Sequence, residues 1–245
     1  MATRSDHAAP PALLRELARE LPRELLRFLK RPALLTPIGL GSRRGWSMLG
    51  MLEVLHVGGL ILVLLPLISL WQQAMHLSPP SAFDKLPPGW LLPFTVLIAP
   101  VGEELVFRGW QTGRPRALWL LGCAVLFAVA AIFAAAMPPL VLVALLAALA
   151  LAAIGGWFAL RERRSPPGWY VRAYPAVFWI AALVFAGVHL TNYPSASIAS
   201  LPLVLPQLWA ALLLGFTRQR IGLPAAMLQH AGANAATLLL VQLGG

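Results

Sequence analysis

The chain has 245 residues, 59% of them hydrophobic and only 11% charged, where soluble domains average roughly 45–50% and 25%. That balance excludes an ordinary soluble enzyme and describes a chain whose main solvent is lipid. The formal charge of +10 would suit a nucleic acid, but the basic residues lie in connections between apolar segments, which points to anionic lipid headgroups and to no nucleic-acid partner.

In chain order, residues 1–44 read as a basic cytoplasmic segment and residues 45–245 as a membrane-embedded domain. Within the first, Leu14, Leu17, Leu21, Leu25 and Phe28 share one helical face, while Arg15, Arg19, Arg23 and Arg27 recur every four residues elsewhere. The pattern predicts an amphipathic helix on the cytoplasmic leaflet, kinked at Pro22. Glu16, Glu20 and Glu24 each precede an arginine by three positions, so the polar face is expected to pair within itself.

Seven stretches then approach the roughly 20 apolar residues that cross a bilayer as helix: 46–70, 90–110, 117–137, 140–160, 173–190, 200–217 and 223–243. Pro/Gly connectors at 78–89 and 165–168 break the helices where turns are needed. The stretch 140–160 has no polar side chain and reads as a lipid-facing or scaffold helix. Cys123 lies in an apolar span with no second cysteine to bond, and reads as packing.

Short cytoplasmic loops collect Lys and Arg. With seven crossings, eighteen of the nineteen basic residues fall on one side and only Lys85 on the other. The expected fold is therefore all-α, a polytopic transmembrane bundle of about seven spans with a cytoplasmic N-terminus. The Ala/Pro/Arg-rich composition suggests a bacterium of high genomic GC content, and hence its inner membrane.

Ionisable residues at membrane depth cost free energy and need a reason. In 99–110, Glu103 and Glu104 are adjacent and Arg108 follows Glu104 by four, on the same face. Glu104 and Arg108 thus read as an ion pair, leaving Glu103 free to act as a general base. Phe185-Ala-Gly-Val-His189 ends the fifth stretch, with Gly187 admitting a neighbouring backbone; alone, this histidine reads as well as a helix cap. His230-Ala-Gly-Ala-Asn234 sets an imidazole and an amide on one face, which alone reads as well as interhelical glue. Together the three elements suit amide hydrolysis by an activated water: a carboxylate base, two imidazoles and an amide donor. No serine- or cysteine-centred nucleophile motif is evident.

The order Glu-Glu-x-x-x-Arg, Phe-x-x-x-His, His-x-x-x-Asn resembles the CPBP family of intramembrane proteases, which includes the Rce1-type CAAX prenyl endopeptidases and bacteriocin-processing or self-immunity proteins. The resemblance covers about residue 90 to the C-terminus. It implies that Glu103 activates water, that Glu104 and Arg108 support it, that His189 and His230 stand at the reacting centre, and that Asn234 lies beside the oxyanion. The implied partners are a peptide or protein substrate and the bilayer. No cofactor is favoured, because the zinc-protease pattern His-Glu-x-x-His is absent; a zinc ion, if present, would take Glu103, His189 and His230. Prenylated substrates are not expected in a bacterium. The competing readings are a non-catalytic scaffold or self-immunity protein, and a proton-coupled transporter, against which the lack of an obvious internal repeat counts.

The chain departs from the family where the stretches 117–137 and 140–160 intervene between the glutamate and first histidine motifs. An inserted hairpin preserves the side from which His189 arrives. Depth is less favourable. At 1.5 Å per residue, Glu103 and His230 lie roughly 15 Å from Arg114 and Arg220, whereas His189 lies about 26 Å from Arg172. The carboxylate of Glu103, both imidazoles and the Asn234 amide are expected within one cavity, His189 within about 6 Å of the others, which requires its helix to be tilted or to start outside the membrane.

Overall fold

The computed structural model describes residues 10–82, 84, 86–87, 89–195 and 197–244; Lys85, Pro88 and the first nine residues of the basic segment lie outside them. Helix makes up 79% of the protein and no strand occurs among the described residues. The elements are α1 (Pro10–Lys30), α2 (Arg43–Gly59), α3 (Leu65–Ala74), α4 (Leu91–Pro93), α5 (Ala99–Arg108), α6 (Pro115–Ile132), α7 (Pro139–Ala159), α8 (Gly168–Val188), α9 (Leu205–Arg220) and α10 (Leu223–Gly244).

Two of the predicted spans are interrupted in the same way. A π-turn over Leu60–Leu64 joins α2 to α3, and another over Phe94–Ile98 joins α4 to α5. Each ends two residues before a proline, Pro66 and Pro100. A proline inside a helix lacks its N–H and crowds the carbonyl four residues back; widening the turn before it relieves the crowding.

Five helical stretches are long and apolar enough to cross a membrane: Arg43–Ala74, Pro115–Ile132, Pro139–Ala159, Gly168–Asn192 and Ile198–Arg220. The other two expected spans are helical as well, over 91–108 and in α10. They are the least apolar because they carry Glu103, Glu104 and Arg108, and Gln229, His230 and Asn234.

The chain forms two compact units, one of Met1–Arg108 with Tyr174–Gly245, the other of Gly109–Ala173. In the first, α10 packs against α2, α5 and α9. Gln229 of α10 binds both neighbours, accepting a hydrogen bond from Thr217 of α9 and donating to the Leu52 carbonyl of α2 at 3.2 Å. The second unit is the α6–α7 hairpin with its flanking turns and the start of α8. The Trp119 indole donates to the Ala152 carbonyl at 2.9 Å, and the Arg116 guanidinium lies 4.6 Å from the centre of the Trp157 ring. No residue of α7 is buried, which fits a helix surrounded by lipid.

The first helix differs from its expectation. Its apolar face is Leu13, Leu17, Leu21, Leu25 and Phe28, each at most 6% exposed, whereas Leu14 is 47% exposed. That face packs on α2 and α9 of its own unit rather than on the leaflet. Phe28 sits edge-on to Phe178 and Phe216. The glutamates do not pair within the helix: Glu16 and Glu20 hold Arg44 at 2.7 and 2.9 Å, and Glu24 holds Arg220 at 2.8 Å.

Candidate active site

The three motifs meet in the first unit. α10 runs antiparallel to the 91–108 helix, because His230 meets Glu104 while Asn234, one turn on, meets Thr95. At the centre of the contact Glu104 is fully buried. Its Oε1 accepts from Arg108 at 2.7 Å and is 3.0 Å from His230 Nδ1. The (i, i+4) spacing brings Arg108 onto the carboxylate as expected. Arg108 is itself buried, its guanidinium 4.1 Å from the centre of the Phe185 ring. Phe185 lies beside both imidazoles, with ring centres 4.9 Å from His189 and 6.1 Å from His230. The phenylalanine of the second motif thus forms the floor of the cluster.

Both histidines are held by Nδ1. His189 Nδ1 lies 2.7 Å from the Phe185 carbonyl, which can only accept, so Nδ1 carries the proton. His230 Nδ1 faces a carboxylate already paired with arginine, and the same assignment follows. In the neutral rings each Nε2 then presents a lone pair. Both aim at one atom: Glu103 Oε2 is 3.8 Å from His189 Nε2 and 3.8 Å from His230 Nε2. That oxygen is buried and has no hydrogen-bond partner among the described residues. A separation of 3.8 Å is too long for a direct hydrogen bond and suits an atom between the acceptors, such as a water oxygen about 2.8 Å from each.

His189 is therefore not displaced in depth. The 26 Å estimate was counted from Arg172, whereas α8 itself begins at Gly168, about a turn earlier. A Cβ on Gly187 would meet nothing within 4 Å, so that glycine does not admit a neighbouring backbone.

Asn234 donates from Nδ2 to the Thr95 carbonyl at 2.8 Å. The reason lies in the π-turn. The Ala99 N–H is spent on the Phe94 carbonyl and Pro100 has none, so Thr95 lacks its usual main-chain donors and the amide supplies one. One Asn234 amide hydrogen remains, about 6 Å along the helix from His230.

Zinc chemistry can be tested on the donors. Two imidazole nitrogens and one carboxylate oxygen are a suitable set, each imidazole being oriented through its other nitrogen. Donors about 2.0–2.2 Å from one ion stand roughly 3.3–3.6 Å apart, a few tenths of an ångström closer than the pairs here. As they stand, no three His, Cys, Asp or Glu among the described residues are arranged to hold a metal ion.

Two further ionisable residues flank the cluster and did not emerge from the sequence reading: Glu53 and His56 of α2, (i, i+3) on one face. His56 is buried, and His230 and Arg108 are close enough for their charges to bear on it. The signal that marked Glu103, an ionisable side chain within an apolar span, was present for both.

The fold defines an integral membrane protein with a cluster of ionisable side chains between its helices. Residues 85–175 match the family model described as type II CAAX prenyl endopeptidase Rce1-like, so over that segment the chain is similar to the family its motifs resemble. At the level of the family, that description implies a protease in a lipid environment acting on a peptide substrate. The matched segment contains Glu103, Glu104 and Arg108 and stops before His189, His230 and Asn234. No match is found among curated proteins or among solved structures.

Proposed function

We propose that the protein is an intramembrane endopeptidase that hydrolyses a peptide bond with a water activated by Glu103. One observation carries the reading: the Nε2 atoms of two histidines from different helices converge on a single buried, unpartnered carboxylate oxygen. Three acceptors with no donor between them repel one another unless something bearing hydrogen or positive charge lies there. A water does so, turning its hydrogens to the protein. Glu103 takes one proton as the water oxygen bonds to the scissile carbonyl carbon. When the C–N bond breaks, that proton passes to the leaving nitrogen. Glu104 and Arg108 hold His230 in place, and the remaining Asn234 hydrogen serves the oxyanion.

A scaffold role accounts for the closed Glu104–Arg108–His230 network but not for the free Glu103 oxygen. We place the N-terminus and the chemistry on the cytoplasmic side of a bacterial inner membrane, with N-terminal arginines facing anionic headgroups. The metal-free version is preferred; a zinc ion held by Glu103, His189 and His230 would instead polarise the same water.

The test is cleavage of candidate peptides by the purified protein in detergent, beside its Glu103→Ala and His230→Ala variants. Activity is expected to fall at least a hundredfold in each, and retained cleavage in both would exclude the mechanism. Full activity in a preparation free of bound metal supports the metal-free version; loss of activity on chelation and its return with zinc would replace it.

A further inference from the structure

Glu53 stands against the middle of the His230–Asn234 motif. A Cβ added to Gly232 would lie 2.5 Å from Glu53 Oε1, so this glycine leaves the space into which the α2 carboxylate reaches. The contact is not a bond: at this point α10 offers the carboxylate only a Cα. Glu53 Oε2 is buried and has no hydrogen-bond partner among the described residues. Of the other two glutamates at this level, Glu104 is held by Arg108 and His230, and Glu103 faces the Nε2 atoms of both histidines at 3.8 Å. Interhelical glue would have closed Glu53 onto a donor. Its backbone is nonetheless fixed, since the Trp209 indole donates to the His56 carbonyl at 3.1 Å and Gln229 to that of Leu52.

A carboxyl group, ionised or neutral, offers an oxygen that accepts hydrogen bonds. A peptide entering from lipid brings N–H groups that have lost water and must find acceptors in the protein. We propose that Glu53 is a substrate-contacting residue whose carboxylate accepts an N–H donor of the bound peptide chain, beside His230 and Asn234. The inference rests on the reading of a peptide substrate, and adds a contact that draws the chain against the reacting centre. The source of the donor is either a main-chain amide or a lysine or arginine side chain.

The experiment measures binding, so that it does not depend on turnover. A dye-labelled, end-blocked peptide of alanine and leucine is titrated into the Glu103→Ala protein in lipid nanodiscs and followed by fluorescence anisotropy. Adding Glu53→Ala is expected to weaken Kd about tenfold or more, whereas Glu53→Gln, which keeps an acceptor oxygen, stays within about threefold. Gly232→Ala should act like Glu53→Ala, because its methyl displaces the carboxylate while alanine suits the helix. Methylating the donating backbone nitrogen of the peptide should cost affinity only where Glu53 is present. A lysine-containing peptide that binds more tightly, with a gain lost in Glu53→Gln, assigns the donor to the side chain.

No binding of either peptide overturns the proposal. So does a Kd within about twofold in both Glu53→Ala and Gly232→Ala, or an N-methyl effect equal with and without Glu53. Cleavage by the Glu103→Ala protein would count against Glu103 as the base, not against a peptide substrate, and leave the binding comparison legible.

Discussion

Arg108 is the residue on which the centre's charge balance depends. It is 2% exposed and faces a carboxylate that is fully buried. Removing one member of such a pair leaves an uncompensated charge, so Arg108→Ala is expected to cost about 3–5 kcal/mol of stability, read as a lower unfolding temperature in detergent. Arg108→Lys should recover only part of this, because an ammonium can hold Glu104 but cannot lie flat over Phe185. The Glu104–Arg108 pair was legible in the sequence because helical spacing alone fixes it. The convergence of His189 and His230 on one oxygen was not, since three helices must be placed before two Nε2 atoms share a target. Glu53 and His56 were legible in principle but carry no familiar spacing, and only the approach of Glu53 to Gly232 and the burial of His56 distinguish them from tolerated polar residues.

Among the elements, the π-turn before Pro100 has the most specific consequence. It leaves the Thr95 carbonyl to Asn234, so the amide binds the helix of the glutamates to that of the second histidine. Asn234→Ala should destabilise the fold by about 1–3 kcal/mol, the cost of an unsatisfied buried polar group. In a Pro100→Ala background, where residue 100 regains its N–H, the same substitution should cost less. Unfolding measurements on the double-mutant cycle check this, and equal costs in both backgrounds would refute the explanation. Hydropathy located the helices to within a few residues. It could not show that Pro66 and Pro100 are absorbed by wider turns, because a proline in an apolar run also permits a kink or a break. The distance from His189 to Glu103 was not legible from spacing along α8 alone, because it depends on how three helices pack.

For the molecule as a whole, the position of α1 separates two kinds of amphipathic helix that look identical in sequence. Periodicity shows that one face is apolar, not whether lipid or protein covers it. Here protein covers it, with Leu17 fully buried. Leu17→Ala is therefore expected to destabilise the bundle by about 2–5 kcal/mol, while Arg44→Ala, which removes two partly exposed ion pairs, should cost no more than about 1 kcal/mol. Thermal unfolding in detergent compares the two; an unchanged melting temperature in Leu17→Ala would return the helix to the leaflet. The two apolar stretches between the glutamate and first histidine motifs lie in a compact unit of their own, Gly109–Ala173.

The same docking sets an order of events during synthesis. α1 leaves the ribosome first, yet Phe178, Phe216 and Arg220, which receive Phe28 and Glu24, are made long afterwards. Until then the first helix has no finished surface to occupy, and its leucines must be held by lipid or a chaperone. Its final seating becomes possible only as α10, the helix that carries His230, begins to emerge, so α1 docks when the last helix of the centre is arriving.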